Sequence, residues 1–177
     1  ENIGKPLATA LDAYAPDGYE VNPEMISNAY RKWYAEQGRL GLQDEPLFPG
    51  MFELINDLKN NKEFHIGVAT NKSRIALNNG LKKHNLNNIF DITLTMDEAK
   101  AKPDPDMAIQ AMSKLNMKKK STIIVGDTIN DIGLGVNAGI NSIGVAWGYN
   151  SIEMLRNEGA NFIIKDAEEL FYTIINL

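Results

Sequence analysis

The sequence predicts an α/β fold, a doubly wound parallel sheet, and three observations carry that expectation. From Pro49 onward, short apolar stretches of strand length alternate with segments of helical periodicity. Those stretches are continuously apolar, as in sheets covered on both faces. Each is separated from the next by a helix-length connection, which implies parallel strands joined by right-handed crossovers.

The elements follow in order. Met51, Leu54, Ile55 and Leu58 form an i, i+3, i+4, i+7 stripe that starts just after Pro49-Gly50. Phe64 to Ala69 reads as a buried strand, followed by the turn Thr70-Asn71-Lys72-Ser73 and a helix from about Arg74 to His84. Phe90 to Thr95 is the next strand, and Met107 to Leu115 the next helix, preceded by Lys102-Pro103-Asp104-Pro105. Thr122 to Val125 is a short apolar strand with a Gly-Asp turn after it. A helix at about 130–138, a strand Ser142 to Val145, a helix at about 151–157, a strand Phe162 to Ile164 and a last helix complete the chain. Residues 1–46 differ. Leu7, Ala10, Leu11 and Tyr14, and then Met25, Ile26, Ala29, Tyr30 and Trp33, fall at helical spacing around the turn Pro16-Asp17-Gly18, with no strand. The expected organisation is a small helical subdomain over 1–46 and an α/β core over 47–177.

Composition narrows the function classes. The chain has 177 residues, of which 44% are hydrophobic, enough for one substantial core. A net charge of −5 gives no footprint for nucleic acid or an anionic membrane. An anionic substrate therefore needs a local positive site. The absence of cysteine excludes disulfide scaffolds and thiolate metal sites and fits a cytoplasmic location. No apolar run reaches transmembrane length. Because the chain opens at Glu1 rather than Met, removal of a leader stays open.

In open parallel sheets, ligands bind beyond the carboxyl ends of the strands. Three segments there carry chemistry. Thr70 and Asn71 put a hydroxyl and successive backbone N–H groups at a strand-to-helix turn, a natural phosphate cradle, although a plain helix cap has the same composition. Lys102 sits in Ala101-Lys102-Pro103-Asp104-Pro105, where two prolines predict an extended path that aims the lysine as a point charge; an ordinary surface loop is the alternative. Gly126-Asp127-Thr128-Ile129-Asn130-Asp131 places Asp127 at the end of an apolar strand and Asp131 in the first helical turn. Two carboxylates so placed suit one hard cation such as Mg²⁺. Asp131 also fits a helix-dipole role, whereas Asp127 is costly unless paired or metal-bound.

Taken in order, these segments resemble the haloacid dehalogenase superfamily, and within it the phosphoglycolate phosphatase-like branch. Ile3-Gly4-Lys5-Pro6-Leu7 is similar to part of that branch's helical cap, and Phe48-Pro49-Gly50 to the return into the core. Val68 to Lys72, Lys102 to Pro105 and Gly126 to Asp131 resemble its second, third and fourth motifs. Ile143 to Tyr149 and Gly159 to Phe162 resemble its C-terminal segments. The resemblance implies a Mg²⁺-dependent hydrolase of a small phosphorylated metabolite, working through an aspartyl-phosphate. Thr70, Asn71 and Lys102 would hold the phosphoryl group. Asp127 would bind the metal, and Asp131 would hold a metal-bound water or orient Lys102. The oligomeric state is left undefined.

The superfamily opens with a strand ending in Asp-x-Asp-x-Thr, which supplies the nucleophile, and this pattern does not occur in the 177 residues. Asp91-Ile92-Thr93 is no substitute, because Asp91 begins its strand and so lies at the wrong end of the sheet. The resemblance places the absent strand between the strands of Thr70 and Asp127. Leaving it out exposes two inner edges, at about 1–3 kcal/mol for each buried unpaired group, against a stability of roughly 5–15 kcal/mol. The expectation is therefore a partial chain. A sugar phosphomutase on the same core, a non-catalytic binding module and a receiver-like domain are the competing readings; the last has no need of a helical cap or of Gly-Asp-x-x-x-Asp. Lys118-Lys119-Lys120 is expected to be a solvated turn and His65 structural. Lys5 and Arg31 are candidate substrate contacts, with surface charge on a helix the commoner explanation, and Trp147 and Tyr149 are expected near the lip of the site, in core or lid packing or in stacking on substrate.

Overall fold

The computed structural model describes residues 22–39 and 45–177. These belong to two compact units, divided between Pro46 and Leu47. In the first, α1 (Pro23–Arg39) is capped by Asn22, whose Oδ1 accepts from the N–H groups of Glu24 and Met25 at 3.0 and 3.1 Å. The expected apolar stripe of this helix faces outward, with Met25 67% and Trp33 56% exposed. Tyr30 and Trp33 pack on each other with ring centroids 5.8 Å apart. Leu7 to Gly18 and Lys5 lie outside the described residues, and so does the side chain of Arg31.

The second unit holds the α/β core. Its order is α2 (Met51–Asn60), β1 (Gly67–Thr70), α3 (Arg74–Lys83), β2 (Ile92–Thr95), α4 (Asp106–Leu115), β3 (Ile123–Gly126), α5 (Ile129–Ala138), β4 (Asn141–Val145), α6 (Ile152–Glu158), β5 (Phe162–Ile164) and α7 (Ala167–Ile175). All observed pairings are parallel, as the crossovers require. The fold is the expected α/β one, with one shifted boundary and, among the described strands, the gap in the sheet that the resemblance implied.

The first is a boundary. The segment Phe64-His65-Ile66 lies outside the ladder, although the Ile66 carbonyl accepts from the Asp91 N–H at 2.8 Å, so β1 begins at Gly67 rather than Phe64. Phe64 and Ile66 are apolar because they pack against the α2 and α7 side of the core, not because they lie in a ladder.

The second concerns the sheet itself. The described strands form two ladders, β1–β2 and β3–β4–β5, with no pairing between β1 and β3. Burial follows the ladders. In β4, Ser142 and Ile143 are fully buried and Val145 nearly so, whereas every residue of β3 is half-exposed. In the shorter ladder Leu94 and Thr95 of β2 are buried, while β1 runs from exposed to half-exposed.

Both faces of the sheet are covered. Ile124 of β3 packs against the cluster that contains Leu134 and Ala138 of α5 and Met107 and Met112 of α4. Its neighbours Ile123 and Val125 pack on the opposite side against Leu54 and Leu58 of α2 and Leu170 of α7. Alternate side chains of one strand thus enter different cores, as the pleat dictates. This is the double winding predicted from the continuous apolar runs.

Candidate active site

The carboxyl ends of β1 and β3 are joined by one side chain. The Lys102 ammonium donates to the carbonyl of Ala69, in β1, at 2.8 Å and to Asp131 Oδ1, in α5, at 2.5 Å. Both partners of this ion pair are buried, Lys102 at 9% and Asp131 at 6% exposure. A buried lysine on a solvent-rich loop is expensive unless paired, so the ordinary-surface-loop alternative does not hold.

The loop that carries Lys102 is a turn and not the extended path its prolines suggested; the Lys102–Pro103 bond is cis. It is fixed by Asn71. The Lys102 N–H donates to Asn71 Oδ1 at 2.8 Å, and Asn71 Nδ2 donates to the Lys102 carbonyl at 3.1 Å. One side-chain amide thereby brackets one residue, much as a neighbouring strand would. Beside it, Thr70 Oγ1 accepts from the Lys72 N–H at 3.1 Å. That bond orients the hydroxyl and leaves its proton for another acceptor.

Asp131 is fixed from its own turn as well. Its Oδ2 accepts from the Thr128 N–H at 3.0 Å and from the Thr128 hydroxyl at 2.7 Å, while the Asp131 N–H returns to Thr128 Oγ1 at 3.4 Å. This is a capping box, legible in the sequence as Thr-x-x-Asp. Gly126 permits it, because a Cβ there would overlap the Asp131 side chain. With one oxygen on Lys102 and the other on Thr128, Asp131 is placed to orient the lysine.

Asp127 follows the last residue of β3. Its Oδ2 accepts from the Tyr149 N–H at 3.0 Å, and its carbonyl accepts from the Asn150 N–H at 3.1 Å. Asn150 Oδ1 in turn accepts from the Ile129 N–H at 2.8 Å, tying the β4–α6 loop to the start of α5. Gly148 passes so close that a Cβ would overlap the Asp127 carboxylate. No hydrogen bond engages Asp127 Oδ1 among the described residues. Asp127 thus fits a single carboxylate ligand of Mg²⁺, which keeps waters and uses one or two carboxylates. No group of three or more His, Cys, Asp or Glu is placed to hold a metal among the described residues, so a full cage of protein ligands is not present there.

Behind the Thr70 turn stands a cluster the sequence reading did not single out. The Arg74 guanidinium donates to both carboxylate oxygens of Glu98, at 2.9 and 2.8 Å, and to the hydroxyl and carbonyl of Thr93, at 2.7 and 2.9 Å. Its backbone N–H donates to Asp97 Oδ2 at 2.7 Å. The hydrogen bonds from Arg74, with those from the Thr95 hydroxyl and N–H, hold the Glu98 carboxyl well below the usual range, at about 2. Glu98 raises the Arg74 guanidinium in return. The start of α3 is clamped to the end of β2. No local motif announces this, since the partners are more than twenty residues apart for Arg74 with Asp97 and Glu98.

The remaining candidates fall elsewhere. Asp91 sits at the amino end of β2, as expected. There Lys59 at 2.6 Å, and then the Ile66 N–H at 3.0 Å, hold its carboxyl below its ordinary value. His65 lies 3.5 Å from the same carboxylate, a structural position. Lys118, Lys119 and Lys120 are exposed on a short 3₁₀ turn. Trp147 packs on the core and Tyr149 is 64% exposed.

Comparison with known proteins agrees with the fold. The family model for haloacid dehalogenase-like hydrolases matches residues 1–145. The pyrophosphatase PpaX of Bacillus velezensis is 30% identical over 173 residues, 96% of this chain and 76% of that protein. PpaX of Anoxybacillus flavithermus is 31% identical over 170 residues, 95% and 75% of the two chains. The crystal structure of a predicted phosphatase from Clostridium acetobutylicum superposes with a TM-score of 0.83 at 30% identity, covering 99% of this chain and 80% of the other.

Proposed function

The chain belongs to the haloacid dehalogenase-like hydrolase family, and from that premise we propose that it carries most of the active site of a Mg²⁺-dependent phosphohydrolase for a small phosphorylated substrate. The observation that carries the reading is the buried Lys102 ammonium, held between Ala69 at the end of β1 and Asp131 after β3. A fixed cation at the carboxyl edge of a parallel sheet, inside a protein of net charge −5, supplies the local positive site that an anionic substrate needs.

The roles follow from the contacts. Thr70 donates its hydroxyl proton to one phosphoryl oxygen, and the backbone N–H of Asn71 assists. Lys102 balances the charge of the phosphoryl group, with Asp131 and the Asn71 bracket holding it in place. Asp127 holds Mg²⁺, which when bound adds positive charge at the reacting phosphoryl group. Preorganised charge of this kind supplies most of the catalysis in phosphoryl transfer. The nucleophile is assigned to an aspartate on a strand seated between β1 and β3, where each has a ladder on one side alone among the described strands. Its carboxylate oxygen attacks phosphorus and expels the leaving oxygen. Water then cleaves the acyl phosphate to release inorganic phosphate and regenerate the carboxylate.

The identity to pyrophosphatases makes inorganic pyrophosphate the first substrate to test, with phosphoglycolate and glucose phosphates beside it. No helix among the described residues is long and apolar enough to cross a membrane. A cytoplasmic location is part of this proposal. The test is phosphate release by the native gene product that contains these residues, with and without MgCl₂. Release that needs Mg²⁺ and disappears in Asp127→Ala is the expected result. Full activity of that variant would remove the metal assignment, and isomer formation from a glucose phosphate without phosphate release would make the protein a mutase.

A further inference from the structure

The β1–β2 ladder has two edges, and the fold treats them differently. β1 is half-exposed from Val68 to Thr70, on the side where the proposed nucleophile strand would seat. β2 pairs with β1 and with no other described strand, so its far side is an outer edge of the sheet. That edge is short but suited to pairing. Ile92 to Met96 has β-branched residues at 92, 93 and 95 and no charge, proline or glycine.

Side chains from outside the strand occupy this edge. In a parallel ladder, alternate residues turn both backbone groups toward the partner strand and the others turn both away. The Thr95 N–H donates to Glu98 Oε2 at 2.9 Å, so Thr95 faces away from β1, and so does Thr93 two residues earlier. The Thr93 carbonyl accepts from Arg74 Nη2 at 2.9 Å, and the Thr95 carbonyl from the N–H groups of Glu98 and Ala99 at 3.1 Å each. Arg74 and Glu98 are themselves joined at 2.9 and 2.8 Å. One residue of an added parallel strand would place its N–H on the Thr93 carbonyl and its own carbonyl on the Thr95 N–H. The guanidinium and the carboxylate stand on those same two groups. Stability alone does not account for the pair, since its side chains are 30% and 38% exposed and ion pairs so exposed contribute little.

We propose that the Arg74–Glu98 pair is an edge guard, which takes the place of a neighbouring strand on β2 and keeps a second copy of this chain from adding there. Outer edges are commonly blunted by charged residues on the strand itself. Here the strand is uncharged, and the charges are lent by the first residue of α3 and by the turn after β2. With β2 sealed, the β1 edge is where a strand can join this ladder. The inference is independent of the phosphohydrolase reading, because none of these groups has a part in the proposed chemistry.

The test compares the native gene product with its Arg74→Ala/Glu98→Ala double variant and with Glu98→Ala. Sedimentation velocity reads the assembly state from low to high micromolar protein, and hydrogen exchange by NMR reads the Thr95 amide in the same samples. When dilute, the double variant is expected to exchange the Thr95 amide about tenfold faster than the wild type, because the acceptor is gone. When concentrated, it is expected to associate beyond the wild-type state and to regain protection at Thr95, as a strand added at β2 requires. Should the double variant not fold, Glu98→Ala, which leaves Arg74 on Thr93, is expected to show both changes more weakly. Faster exchange with an unchanged assembly state would make the pair a local clamp and overturn the proposal. Association with Thr95 still exchanging freely would place the contact elsewhere and overturn it as well. Wild-type exchange at Thr95 in these variants would show that the carboxylate does not cover the edge, with the same consequence.

Discussion

Strands β3 and β4 lie side by side, pair residue for residue from Ile123 with Asn141 to Gly126 with Gly144, and yet have opposite surroundings. From Ser142 to Val145, β4 is sealed, with a ladder on each side and helices above and below. β3 is more apolar in sequence but half-exposed along its whole length, with a ladder on one side among the described strands. β1 stands to β2 as β3 stands to β4. The two strands with open sides are the ones whose carboxyl ends carry Thr70 and Asp127, and Lys102 ties those ends together. Burial and the candidate residues are thus divided: β2 and β4 hold the fully buried strand positions, and the carboxyl ends of the half-exposed β1 and β3 carry the candidates. An unpaired apolar strand edge is a liability that proteins otherwise cover, and among the described strands these edges coincide with the catalytic candidates.

The comparison can be broken most sharply at Asp127. In the native gene product Asp127→Ala is expected to lower kcat/KM about a thousandfold or more, with a small change in melting temperature, as read by Mg²⁺-dependent phosphate release. An equal loss of stability and activity would mean that Asp127 serves the fold. Lys102→Met strikes both halves of the division. It removes the positive site and strands Asp131 as a buried charge, so activity is nearly lost and stability falls by about 3–5 kcal/mol in a denaturant titration. An unchanged midpoint would show that the ion pair does not join the two ladders.

Smaller effects sharpen the contrast between the strands. Ile143→Ala is expected to cost about 2–5 kcal/mol, since Ile143 is fully buried, and Val125→Ala markedly less, since Val125 retains solvent on its open side. Equal costs would show that β3 is as well packed as β4. The smallest expected effect is a pH dependence. Glu98 is depressed to about 2 by Arg74 and Thr95, so its contribution is fully present above the ordinary glutamate value near 4.5 and is lost as pH falls toward 2. Glu98→Gln should flatten the acid limb of the stability curve in that window. Because the Glu98 side chain is partly exposed, the effect is modest and screened by salt.

Much of this was legible from the residues. That Thr70, Asn71, Asp127 and Asp131 follow strand ends was readable from the pattern, because a parallel sheet presents its carboxyl ends together, whereas Lys102 was singled out from its proline-flanked loop beyond β2. The capping box of Thr128 and Asp131 is a local pattern and could be read directly. The start of β1 was misjudged by three residues, because Phe64 and Ile66 are apolar for packing rather than pairing. The extended path at Lys102 was misjudged because proline fixes its own φ but not the turn around it. The helical spacing of Met25 to Trp33 is that of α1, on which Met25 and Trp33 are exposed. The Arg74 clamp, the Tyr149 N–H on Asp127 and the close approach of Gly148 were invisible, since each joins residues about twenty positions apart through contacts without a sequence period.

The central claim is that Thr70, Lys102 and Asp127 surround one pocket for a phosphoryl group and a divalent ion. A crystal structure of the native gene product grown with MgCl₂ and tungstate, a phosphate mimic located by its anomalous scattering, addresses it directly. The account predicts tungstate oxygens within hydrogen-bond distance of Thr70 Oγ1 and Lys102 Nζ, with Mg²⁺ on the Asp127 carboxylate. Tungstate bound away from the carboxyl ends of β1 and β3, or Mg²⁺ held without Asp127, would contradict it.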